Sequence, residues 1–149
     1  MTEFEEEVYR ITLKSVEAKE IHIFEIANLN DMIGVEKSEE LCRLFVKSKV
    51  KVHQLTNIER MTAWTHNQFL IDCNMNVRYV SKEIYNIENE IVIFDETVAI
   101  YNRDNLEYTE YHDEALAATL RNLHINIWSS SEEMRLGRDG SSLAKQYKP

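Results

Sequence analysis

Residues 89–102, NEIVIFDETVAIYN, decide the fold. Two short apolar runs, Ile91 to Phe94 and Val98 to Tyr101, flank the acidic pair Asp95 and Glu96, which leaves space only for a tight turn. Runs of β-branched and aromatic residues interrupted in this way predict a β-hairpin. A hairpin needs further strands or a helix to cover its apolar face, so the neighbouring segments must supply them.

Working outward, residues 2–18 place Phe4, Val8, Ile11 and Val16 near helical spacing, with glutamates crowded where the helix dipole favours them. Glu20 to Leu29, EIHIFEIANL, reads as a buried strand ending on polar residues, and 37–47, KSEELCRLFVK, returns to a helical pattern. Val50 to Leu55 is a second strand, which makes a β-α-β unit with a parallel pair and a right-handed crossover the natural reading. A helix is expected from Asn57 to about Cys73, and a third strand at Asn76 to Val80. Beyond the hairpin, a strand at Glu107 to Tyr111 precedes a helix over Asp113 to Trp128, with Asp113 as N-cap and Leu116, Leu120, Leu123 and Ile127 as its apolar stripe. The expectation is one α/β domain over 1–128 with a mixed sheet and flanking helices. A polar tail over 129–149, mobile or a late-ordering arm, follows it.

Composition narrows the function. Of 149 residues 44% are hydrophobic, enough for a single core, while three glycines and one proline leave no Gly-rich phosphate loop. The acidic start from Met1 to Glu7 is followed by no apolar run, so neither a secretory signal nor a membrane span is expected, and the location is read as cytoplasmic. A net charge of −9 disfavours direct binding to nucleic acid, because cationic side chains supply most of that affinity. Lys47, Lys49 and Lys51 read as the cationic end of a helix. Cys42 and Cys73 lack CxxC spacing and read as buried thiols.

The order helix, strand, helix, strand, helix, strand, hairpin, strand, helix resembles one half of the phospholipase D fold. NVRYV, the hairpin and the closing LAATLRNLHINIW also resemble the C-terminal effector domain of TrmB-type sugar-sensing transcription regulators, which use that fold without its catalytic pair. The resemblance covers roughly residues 18–128. Active members carry HxKxxxxD followed by a GSxN element. With Asp95 as the motif's aspartate, the His position falls on Glu88 and the Lys position on Glu90, while Asn102 and Arg103 stand for Gly and Ser and only Asn105 agrees. Phosphoryl transfer through a phosphohistidine needs the imidazole and the cation, so no catalytic residues are assigned. The resemblance implies a phospholipase D-like half-fold acting as a sensory or dimerisation module in regulation. A winged helix-turn-helix does not fit before the first strand, so DNA contact would belong to a separate DNA-binding partner chain. A symmetric homodimer is expected, with Ile91, Ile93, Val98 and Ile100 lining or supporting the shared surface. The competing readings are a homodimeric phosphodiesterase or nuclease with a relocated histidine such as His53, and a structural protein-interaction domain.

Ligand-binding candidates come from the rule that open α/β sheets bind at the carboxyl ends of their strands. Asn28 after the first strand, His53, Gln54, Thr56 and Asn57 at the second, Arg78 at the third and Glu90 on the hairpin form the set, suited to a small sugar-like or anionic ligand. His22, inside a strand pattern, and His124, beside the last helix's stripe, read as structural, as does Trp128. Trp64 is a candidate flank of the site. The five histidines show no ligand spacing such as HExxH, so no metal and no cofactor are expected.

Overall fold

The computed structural model describes residues 1–62, 75–136 and 142–145, with 61, 62, 136 and 142–145 described as backbone alone. Its described elements run α1 (Glu3–Ser15), β1 (Glu20–Glu25), α2 (Leu29–Ile33), α3 (Val35–Ser48), β2 (Lys51–Thr56), β3 (Arg60–Thr62), β4 (Met75–Tyr79), β5 (Glu90–Phe94), β6 (Thr97–Asn102), β7 (Glu107–His112), α4 (Glu114–Trp128), β8 (Glu132–Leu136) and β9 (Ser142–Lys145). The fold is mixed α/β. Its sheet has the order β3-β9-β8-β4-β2-β1-β5-β6-β7, in which seven strands from β8 to β7 form the main body. The β1, β2 and β4 strands are parallel neighbours, and β5 returns antiparallel beside β1.

Local sequence chemistry sets the helix ends. Thr2 and Glu5 form a reciprocal capping box at α1, Asn28 Oδ1 accepts from Asp31 N at the start of α2, and Asp113 Oδ1 accepts from Leu116 N at the start of α4. Gly34 joins α2 to α3 at φ 86°, a conformation that a side chain would strain. Lys49 ends α3 in the left-handed region.

The sheet separates two cores. One face packs Ile21, Val52, Val92, Phe94 and Ala99 against Phe4, Val8 and Ile11 of α1 and Leu41 and Phe45 of α3. The opposite face packs Phe24, Leu55, Ile93 and Val98 against Ala117 and Ile127 of α4. Complete burial of each such side chain contributes roughly 1.5–3 kcal/mol.

The hairpin forms as expected, with Asp95 at φ 51° in its turn. It is also latched, since Arg121 Nη2 donates to Asp95 O at 2.7 Å and Asp113 N to Glu96 O at 2.9 Å. Ile93 and Val98 are fully buried beneath α4, with Ile91 and Ile100 packed against the same cluster. The apolar surface from which a homodimer was inferred is therefore covered within the chain.

Four further expectations are corrected. The first strand ends at Glu25, because Asn28 caps a short helix that takes Leu29. Arg60–Thr62 is a strand, not the start of a helix; the remainder of that expected helix, with Trp64 and Cys73, lies outside the described residues. The expected stripe of α4 holds at Leu116, Leu120 and Ile127, which pack in the core, but Leu123 is 37% exposed, and Ala117 and His124 are buried beside the stripe. Part of the tail is structured: β8 pairs antiparallel with β4, and Met134 is buried with Val77.

Candidate functional site

Strand alternation sorts the polar candidates onto the two faces. On the α1–α3 face, Glu25 pairs with Thr56, Glu90 pairs with Tyr101, and the next step of the β1–β5 register sets Glu25 opposite Glu90. These four residues form a polar row across the sheet, every member of it buried. Among the described residues, Glu25 Oε1, the Tyr101 hydroxyl and both amide atoms of neighbouring Gln54 find no hydrogen-bond partner. Burial pushes the Glu90 carboxyl up to about 8. Burial, and then the charges of Glu90 and Asp31, push Glu25 well above the usual carboxylate range. Glu25, Gln54, Glu90 and Tyr101 line a cavity of about 40 Å³ beneath Val8, Thr12 and Ser15. A void of that size holds at most a few waters, at roughly 10–15 Å³ each.

On the α4 face, Glu20, His22 and Phe24 alternate along β1, and His53 stands in register beside His22 on β2. The His22 and His53 rings stack with centroids 4.8 Å apart, and His124 meets His22 edge-on at 5.0 Å. His124 Nε2 lies 3.0 Å from Ile23 O, which fixes the ring, while the Nδ1 atoms of His22 and His124 are buried with no hydrogen-bond partner among the described residues. Trp128 closes the group, stacked on His124 and edge-on to His53, each at 5.6 Å. Glu20, His22, His53, His124, Ile125 and Trp128 line an open pocket of about 260 Å³. Burial holds His22 down at about 4 and His124 at about 3, and also lowers His53, so the cluster is neutral at pH 7.

The seven candidates therefore do not share one crevice. Gln54, Thr56 and Glu90 lie on the acidic face, where Asn28 spends its side chain on capping α2. Asn57 is architectural: its amide donates to Val80 O and Tyr85 O, and its Oδ1 accepts from Ile87 N, pinning the segment before the hairpin. His53 reaches the open pocket, but from the middle of β2, not its carboxyl end. Arg78 bonds Ser131 Oγ and O and lies 5.4 Å from the Trp128 ring centroid, behind the pocket wall.

Glu20, His22, His124 and Trp128 were missed as pocket residues, and Glu25 and Tyr101 as partners of Glu90. The signal was available for two of them: Glu20-Ile21-His22 and Lys51-Val52-His53 occupy equivalent positions in strands already expected to be parallel neighbours. Compared with known proteins, the chain matches no family model, no curated protein and no solved structure.

Proposed function

We propose that the protein is a non-catalytic binding module of sensory type, with its ligand site in the imidazole pocket between β1, β2 and α4. The observation that carries this reading is the pocket's composition: neutral histidines, one carboxylate at the mouth and the indole of Trp128 around about 260 Å³. Small-ligand sites begin near roughly 300 Å³ and combine an apolar or aromatic wall with a few convergent polar groups. A polyol or sugar-like molecule suits such a wall better than an anion, because Glu20 stands at the mouth and Arg78 is engaged elsewhere. The acidic cavity on the other face is too small for such a ligand.

Chemistry favours binding over turnover. The positions corresponding to a phospholipase D-like His and Lys are Glu88 and Glu90, and the latter is buried in the polar row. The regulatory setting, with a separate DNA-binding chain receiving the signal, and the phospholipase D-like half-fold rest on the sequence resemblance alone. Calorimetric and thermal-shift titrations against monosaccharides and sugar alcohols test the reading. Saturable binding that Trp128→Ala weakens is expected. Hydrolysis of a phosphodiester abolished by His53→Ala would replace the module with an enzyme.

A further inference from the structure

The mouth of the pocket carries a second chemistry. Glu20 and His22 share a face of β1, and His53 lies beside His22 on the parallel neighbour. One donor atom from each of the three falls within 4.8 Å of the others. His53 Nε2 lies 3.8 Å from Glu20 Oε2, and their side chains are 25% and 51% exposed, so Glu20 stands at the rim, His53 is half-buried beside it and His22 is buried in the wall.

Two imidazoles and a carboxylate form a donor set for borderline divalent transition ions, and zinc takes such ligands at about 2.0–2.2 Å in tetrahedral geometry. That geometry sets donors about 3.4 Å apart, so rotation of the Glu20 and His53 side chains by roughly 1 Å closes the site. A stacked pair of packing histidines is the simpler reading of His22 and His53. It leaves unexplained why a carboxylate stands at the open side of the pair and why a 5% exposed imidazole keeps Nδ1 without a hydrogen-bond partner among the described residues. A buried polar atom without a bond costs about 1–3 kcal/mol. Among the described residues, Lys51, paired with Glu20 across the strands, and Arg121, whose charge reaches His22, are cations near that carboxylate.

We propose that Glu20, His22 and His53 bind one divalent transition ion of the zinc or cobalt class, with its remaining coordination position open toward the pocket walled by His124, Ile125 and Trp128. The inference deepens the pocket reading and rests on it, naming the ligand class that the rim takes.

Tag-free, chelator-stripped protein titrated with Co²⁺ tests it, following the visible d–d absorption and then its displacement by Zn²⁺. One Co²⁺ per chain is expected, with affinity reduced about tenfold or more in both Glu20→Gln and His53→Ala. The far-UV spectrum of each variant should match the parent without metal, and Glu20→Gln, at the exposed rim, should also keep the parent's melting point. Absence of a saturable Co²⁺ spectrum would overturn the proposal, as would a spectrum that neither substitution alters. If sugars or polyols still bind in a manner sensitive to Trp128→Ala, the metal inference alone fails. If neither metal nor polyol binds, the pocket reading falls with it.

Discussion

The two faces of the central sheet bury titratable groups with opposite consequences. Beneath α1–α3, Glu25 and Glu90 are carboxyls held protonated; beneath α4, His22, His53 and His124 are imidazoles held neutral. Both faces disfavour charge, but desolvation raises an acid and lowers a base. The acidic face closes over a void fit for water, whereas the imidazole face opens to solvent between α4 and the first halves of β1 and β2. Among the described residues the imidazole face has the roomier pocket, about 260 Å³ against about 40 Å³ on the acidic face.

The largest expected effect concerns the acidic face. Glu90 has a folded pKa of about 8 against 4.5 for the free group, so its contribution is intact below 4.5 and is lost as pH rises toward 8. The loss is on the order of 3–4 kcal/mol. Glu90→Gln, which needs no ionisation, should abolish much of that decline and raise the melting point at pH 8 by several degrees while changing it little near pH 4.5. An unchanged pH profile in calorimetry would break the contrast between the faces.

The imidazole face should show the reverse slope. His124 has a folded pKa of about 3 against 6.5, so its contribution is intact above 6.5 and is lost as pH falls toward 3. His124→Phe keeps a ring between Phe24 and Trp128 and should reduce the acid-side loss by on the order of 2–3 kcal/mol, measured by urea denaturation at pH 7 and pH 4. Arg78→Ala should cost about 1–2 kcal/mol by releasing Ser131 and the Trp128 ring, and should loosen Trp128 in fluorescence anisotropy. Glu20→Gln, at the exposed rim, should stay within about 0.5 kcal/mol of the parent.

The hairpin, the parallel β1–β2 pair and the caps at Asn28 and Asp113 depend on short-range patterns, and of these the hairpin, the pair and the Asp113 cap were legible in the sequence. The α4 stripe was legible at Leu116, Leu120 and Ile127 and wrong at one position, because Leu123 satisfies helical spacing as well as His124 does. Only the position of the helix over Phe24 and Ile23 decides which of them turns inward. The strand at β8 was hidden because Ser131, Glu132 and Glu133 are polar; Met134 is a buried anchor in it, and β8 pairs with β4. The candidate site was half visible. His53 was found by its place in a strand, but His22 and His124 looked structural singly, and their meaning comes from register and from α4 crossing above them.

The central claim is that binding occurs on the imidazole face and leaves the acidic face untouched. Side-chain NMR of the histidine rings and the Trp128 indole, together with the Glu25 and Glu90 carboxyls, tests this most directly during titration with Zn²⁺ and with a monosaccharide panel. Saturable shifts of His22, His53 and Trp128 with at least one of these ligands, and unchanged carboxyl signals, are expected. Shifts confined to Glu25 and Glu90, or no shift on either face, would contradict it.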